Sequence, residues 1–241
     1  LHRVDRRQRQ MCIRDSILSM TPSAVASSDA GAGVGYTSIS IRGSGAKRIN
    51  VTVDGVPIND PESHSVYWVN MPDLLSSVDN IQVQRGVGTS TNGVGAFGAS
   101  INFKTEAPKK EAYATISSTV GSYKTFKNNI IAGTGLINNK FSIDTRFSDV
   151  TSDGYVDRAS SSLRSYYLSG AYYGAKTTVR ARLISGHERT YQSWNGVPKV
   201  KLDNDEDGMQ RYLDHGLYDQ DEYDNMINSD ARTYNFYTYE N

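Results

Sequence analysis

The chain has 241 residues, a formal net charge of zero, 37% hydrophobic residues and a single cysteine. No apolar run reaches 18 residues, which excludes a membrane-spanning helix, and the balanced charge leaves no polyanion-binding footprint. One cysteine allows no intrachain disulfide, whereas 16 Tyr and 21 Gly suit strands that face water on one side and lipid or a core on the other.

Residues 1–16 stand apart from the rest. Arg6-Arg7-Gln8-Arg9-Gln10-Met11-Cys12-Ile13-Arg14-Asp15-Ser16 reads as the translation of a common transposase-based sequencing adapter, and Leu1-His2 fits the adapter bases that precede it. The segment is therefore expected to be non-native; it also lacks the apolar stretch and small-residue cleavage site of a leader peptide. Setting it aside removes five Arg, two Asp and Cys12, leaving a net charge of about −3 and no thiol.

Short, irregular strands follow. Ser38-Ile39-Ser40-Ile41-Arg42 alternates, and Ile49-Asn50-Val51-Thr52-Val53 leads into Asp54-Gly55, a dipeptide favoured in type I′ hairpin turns because both residues tolerate positive φ. The returning Val56-Pro57-Ile58 must be short or lie at a sheet edge, since Pro57 has no N–H to donate. Pro72 is placed to open a single helix through Leu74, Leu75 and Val78, its φ preset for a first helical turn.

Residues 81–105 hold two period-2 strands around a loop studded with glycines: Gly86, Gly88, Gly93, Gly95 and Gly98. Neither nucleotide-loop pattern is met. Thr91 stands where the third glycine of a dinucleotide loop belongs, no Gly-Lys-Ser/Thr occurs, and no helix follows the loop. Compact turns account for the glycines better.

Glu106-Ala107-Pro108-Lys109-Lys110 interrupts the patterning and marks a boundary. Beyond it the alternation lengthens. Phe141, Ile143, Thr145 and Phe147 share one face, against Lys140, Ser142, Asp144, Arg146 and Ser148; Val179, Ala181 and Leu183 oppose Thr178, Arg180 and Arg182. Charges on the inner side of a sandwich would be costly, but a water-filled lumen accepts them, so apolar-out and polar-in is the assignment. Ala112, Ala114, Ile116 and Val120 continue the pattern, while 123–134 obeys it less cleanly. Tight connections at Asn138-Asn139 and Gly174-Ala175-Lys176 alternate with long ones near 149–162 and 187–230, as periplasmic turns alternate with extracellular loops. Five strands, with a sixth starting at Thr233-Tyr234-Asn235-Phe236-Tyr237-Thr238-Tyr239, fall short of the roughly eight that the smallest bilayer barrels need.

One metal-like spacing occurs. Asp203, Asp205 and Asp207, with Gly208 and then Asp214 at the twelfth position, match the oxygen-ligand spacing of a calcium loop. Asp replaces the bidentate Glu there, so a solvated loop is the default and calcium the alternative. No nucleophile elbow or paired acid–base constellation occurs, so no catalytic residue is assigned.

Ile41-Arg42-Gly43, Asp54-Gly55-Val56-Pro57-Ile58-Asn59 and the run 81–105 closely resemble the plug domain of TonB-dependent outer-membrane receptors, over about residues 34–105. The resemblance implies a membrane β-barrel with an N-terminal α+β plug: residues 17–106 the plug, truncated at its start, and 107–241 the first five or six strands of a barrel of about 22. It implies that Arg42 and Arg85 pair with glutamates of the barrel wall. Gly43, Gly55, Gly86, Gly88, Gly93, Gly95 and Gly98 become plug turn residues, and His64, Tyr67 and Trp68, on a loop raised toward the external cavity, become ligand-contact candidates. Partners would be the TonB–ExbB–ExbD energy-coupling complex, outer-membrane lipid and a small extracellular ligand, with no nucleic acid. The location would be the outer membrane of a Gram-negative, Bacteroidetes-like bacterium, and the cargo a siderophore, haem, cobalamin or glycan. The competing class is an extracellular β-sandwich of the binding or adhesin type, which would fold in water without a plug.

Overall fold

The computed structural model describes residues 21–87, 96–105 and 107–238. The described chain builds three sheets and a small helical segment. Strands β1 (Ala24–Ser28) and β2 (Thr37–Ile41) pair antiparallel; β3 (Ile49–Val53), β4 (Val56–Pro57), β5 (Val78–Arg85) and β6 (Ala99–Thr105) form a mixed sheet in the order β4-β3-β6-β5. β7 (Tyr113–Gly121), β8 (Thr125–Gly133), β9 (Phe141–Ser152), β10 (Ser161–Tyr173) and β11 (Thr178–Thr190) form an antiparallel meander.

The mixed sheet follows from residue choice. Four of the five residues of β3 are buried, as suits a central strand. Asp54 (φ 50°) and Gly55 (φ 86°) make the left-handed turn expected of Asp-Gly. Pro57 sits on the edge strand, where its missing N–H disturbs no ladder. The apolar core of this unit gathers Ile39, Ile41, Ile49, Val51, Leu74, Leu75, Val78, Ile101 and Phe103, each contributing about 1.5–3 kcal/mol by leaving water.

The helix expected from Pro72 to Val78 does not form. Asp73 adopts a left-handed conformation (φ 52°), a 3-10 turn covers Leu74–Ser77, and Val78 already begins β5. A left-handed residue cannot continue a right-handed helix; a single tight turn still delivers Leu74, Leu75 and Val78 to the core. Strand β1 was not expected, because Ala-Val-Ala-Ser-Ser carries too little apolar bulk to register as a strand.

The meander has the reversed polarity expected of it. Arg146 is 2% exposed, while Ile116 is 75% and Leu183 62% exposed. On β9, Ser142, Arg146 and Ser148 are buried between exposed or half-buried Phe141, Ile143, Thr145 and Phe147. β8 proves as regular: Thr125, Lys127 and Asn129 point inward, Phe126, Asn128 and Ile130 outward. Turns at Asn138-Asn139 and 174–177 are tight and share one end of the sheet. At the other end the β9–β10 connection is longer, but the β7–β8 connection, through Tyr123 and Lys124 with positive φ, is tight as well.

Two expectations for the C-terminal part are corrected. Residues 187–230, expected as a loop, instead finish β11 at Thr190 and contain short helices α1 (Lys199–Leu202), α2 (Glu206–Asp214) and α3 (Gln220–Asn228). Helix α3 opens with a capping box, Asp219 and Glu222 each accepting from the other's backbone N–H. The sixth strand is not formed by residues 233–238. Tyr234 instead packs with Met209 and Met226, and Asn235 donates through Nδ2 to the carbonyls of Asp157 and Gln192. A buried tyrosine and a fully satisfied asparagine hold that stretch beneath the helices.

Candidate functional site at the junction of the two units

The inner face of the meander is not open to water: the N-terminal unit lies against it. Asp73 is the centre of that junction. Its Oδ1 accepts from Lys127 Nζ at 2.5 Å and Ser76 Oγ at 2.7 Å, and its Oδ2 accepts from Ser148 Oγ at 2.5 Å and Asn129 Nδ2 at 3.2 Å. Arg146 NH1 lies 3.2 Å from Oδ2 and also donates to the Asp73 carbonyl. The side chains of Asp73, Lys127 and Arg146 are 6%, 9% and 1% exposed, so this is a buried ion cluster rather than a surface pair.

The left-handed turn explains the geometry. It aims both the carbonyl and the carboxylate of Asp73 at β8 and β9, and Asp is among the few residues that accept such a φ. Burial by itself raises the Asp73 pKa, but Lys127 and then Arg146 outweigh it, and the carboxyl is held below its ordinary value. Two cations and three neutral donors from both sides compensate one desolvated carboxylate.

A second ionic contact lies at the end of the mixed sheet where β5 begins. Asp54 accepts from Thr105 N (3.1 Å) and Thr105 Oγ1 (2.7 Å), and its Oδ2 lies 3.2 Å from Arg182 NH2 on β11. In the cross-strand row of the Asp73 partners Asn129 and Ser148, Pro72 Cδ would stand only 2.7 Å from a Cβ on Gly186, so the N-terminal unit packs against bare β11 backbone there. Toward the long-loop end, the Tyr155 N–H donates to Ala30 O at 2.7 Å, Val34 packs with Val150 and Leu163, and Tyr36 meets Trp194 edge-on at 5.5 Å.

The residues singled out from sequence are dispersed. Arg85 NH1 donates to the Pro22 carbonyl at 3.0 Å, and Arg42 is exposed beside Gly86. Among the described residues neither meets a carboxylate; the ion pairs that cross the junction run the opposite way, acids from the N-terminal unit and bases from the sheet. Gly43, Gly55 and Gly86 have positive φ, and a Cβ on Gly98 would stand 2.3 Å from Ser44 Cβ. Gly88, Gly93 and Gly95 lie outside the described residues. His64 and Tyr67 are exposed, but Trp68 is not available to a ligand: it is 5% exposed and packs edge-on against Phe103 at 5.9 Å.

The acidic stretch does not assemble a calcium loop. Asp205 caps α2, its Oδ1 accepting from Gly208 N at 2.9 Å, while Asp207 and Asp214 lie within that helix and Asp214 Oδ1 accepts from Gln210 Nε2. Helical rise separates carboxylates that a looped chain would converge, and no group of three or more metal-ligating side chains occurs among the described residues. Sequence reasoning missed Asp73 because an Asp after a Pro reads as a helix start; its signal was the inward-facing Lys127 and Arg146, which required an acid from elsewhere.

The sequence profile of the TonB-dependent Receptor Plug Domain matches residues 6–100, a range that starts inside the adapter-like segment. No curated protein sequence gave a significant match. Among solved structures, the siderophore receptor PirA from Acinetobacter baumannii is similar at TM-score 0.58 and 17% identity, covering 81% of this chain and 32% of that one. The copper transporter OprC is similar at 0.62 and 16%, covering 76% and 29%. The ferripyoverdine receptor of the outer membrane of Pseudomonas aeruginosa is similar at 0.61 and 16%, covering 81% and 26%. The chain thus spans under a third of the length of these structures.

Proposed function

From a chain that carries a TonB-dependent receptor plug domain followed by strands with the fold of those receptors' barrels, we propose the function of an energised importer. It lies in the outer membrane of a Gram-negative bacterium, binds a scarce ligand at the outer face and admits it when TonB, driven through ExbB and ExbD, rearranges the plug. It does no chemistry on the ligand. The observation that carries this reading is the polarity of the meander: lipid-facing Ile116, Ile143 and Leu183 on one side, and on the other a lumen face whose Lys127 and Arg146 are closed by Asp73 of the plug. A soluble sandwich would bury the opposite face.

The ligand class we favour is a metal chelate of the siderophore type, supported by the printed names of the similar structures, which include siderophore receptors and a copper transporter. Arg42 and Arg85 are proposed to take barrel carboxylates on strands other than these five, and His64 and Tyr67 to face the ligand route.

The test is uptake of a panel of labelled ferric siderophores by cells whose only outer-membrane importer is the full-length receptor. Expected is accumulation of at least one chelate that stops when a protonophore collapses the proton-motive force. Uptake indifferent to the protonophore would overturn energy coupling. Failure of the whole panel, with haem, cobalamin and oligosaccharides taken up instead, would overturn the siderophore assignment alone.

A further inference from the structure

We propose that Asn195 is a self-modifying residue: ring closure by the Gly196 backbone nitrogen expels its side-chain amide, leaving aspartate or isoaspartate in the loop that ties the segment after β11 to the N-terminal unit. The chemistry needs only water. Gly196 N gives up its proton to a base and attacks Asn195 Cγ. The Cγ–Nδ2 bond breaks, the nitrogen leaves with a proton as ammonia, and water then opens the succinimide at either carbonyl. Attack requires Cγ to lie over the nitrogen of the next residue, an approach that helix and strand oppose and an unbonded loop permits. Glycine in the following position removes the side chain that would block it.

Asn195 meets these conditions where comparable steps of the chain do not. It lies between β11 and α1, outside helix and strand, and both Asn195 and Gly196 are exposed. Neither makes a hydrogen bond to another of the described residues, and a Cβ on Gly196 would meet nothing within 4 Å. The Asp-Gly steps are all restrained. Asp54, before Gly55, is engaged by Thr105 and Arg182. Gly154, after Asp153, donates its N–H to Ser152 Oγ at 3.2 Å, and Gly208, after Asp207, donates to Asp205 Oδ1 at 2.9 Å inside α2. These three also begin from a carboxylate, whose negative charge repels the nucleophile. In Asn228-Ser229, Asn228 Nδ2 donates to Asp224 O at 2.8 Å and Ser229 N to Asn225 O at 3.0 Å. Asn92-Gly93 lies outside the described residues.

The contacts on either side of the step give the modification a structural effect. On one side the Gln192 carbonyl accepts from Asn235 Nδ2 at 3.0 Å; on the other, Val197 packs against the core of Met209, Met226 and Tyr234. Between these anchors Trp194 meets Tyr36 of the N-terminal unit edge-on at 5.5 Å and Tyr237 at 6.4 Å. Isoaspartate carries the backbone through the former side chain, adding one carbon–carbon bond of about 1.5 Å between two held ends. It also places a new negative charge next to the indole. The surplus length bulges the loop and draws Trp194 away from both tyrosines, which it touches only through ring edges.

The test is ageing of the full-length protein in detergent, at neutral and at mildly acidic pH, followed by mass mapping of the tryptic fragment from Thr190 to Lys199 against an unaged control. Expected at Asn195 is a gain of about one dalton, split between aspartate and isoaspartate products. It should form in proportion to hydroxide concentration and an order of magnitude faster than at Asn228. Gly196→Ala, which the open space around Gly196 accommodates, should slow it by an order of magnitude or more. Hydrogen exchange around Tyr36 and Tyr237 should quicken in the aged protein and stay slow in the aged Gly196→Ala variant. Asn195 intact after ageing, or converted no faster than Asn228, overturns the modification. Conversion that leaves exchange unchanged overturns its effect on the Trp194 contact. The inference rests on neither the membrane placement nor the cargo, so its failure leaves the importer reading where it stood.

Discussion

Asp73 joins the N-terminal unit to the inner face of the meander through two cations and three neutral donors, all at or within 3.2 Å. Substituting Asp73→Asn keeps the shape but leaves Lys127 and Arg146 buried with their carboxylate gone. The expected cost is about 3–5 kcal/mol, read as a fall in the urea midpoint of the full-length protein in detergent. Replacing Arg182, which is less buried and leaves Asp54 its two Thr105 bonds, should cost less, about 1 kcal/mol. The Asp73 carboxyl has a depressed pKa when docked, so it binds a proton more readily with the N-terminal unit undocked or unfolded. Docking stability from this group is therefore fully present above the ordinary carboxyl value of 3.8 and lost as the pH falls through the lower, docked value. Urea midpoints of the unsubstituted protein should fall on acidification in that window, and the Asp73→Asn variant should lose this part of the dependence.

At the scale of elements, the two faces of the meander should respond oppositely to charge. Ile143→Arg, on the outward face of β9, places a guanidinium in lipid and should cost about 2–4 kcal/mol near the bilayer midplane. Thr115→Arg, on the opposite, lumen side of β7, should cost far less. Unfolding both variants in lipid vesicles separates them, and equal costs would count against the barrel assignment. Where β11 meets the N-terminal unit, Gly186→Leu forces side-chain volume against Pro72 and should destabilise docking by about 1–3 kcal/mol. The helical segment is a separate element: Met226→Ala removes a fully buried side chain from its small core and should cost about 2–5 kcal/mol locally. Hydrogen exchange should show α2 and α3 opening while the meander stays protected.

For the whole molecule, local rules made some features legible and not others. The Asp54-Gly55 turn, edge strand β4, the paired strands around the glycine run and the reversed polarity of the meander were all readable, because each depends on backbone chemistry or on period-2 alternation within one segment. The helices after β11 were less so. Their apolar faces are thin, and the capping box of Asp219 and Glu222 was the clearest local sign. Composition and alternation alone thus determined that this is a β protein whose longer strands have a lipid-compatible outer face and a charged inner one. Only the tertiary structure decided what answers the inward charges. Lys127, Arg146 and Asp73 lie 54 and 73 positions apart along the chain. A buried cation announces that it needs a partner, but which carboxylate reaches it depends on how two units fold against each other, and no local pattern encodes that distance.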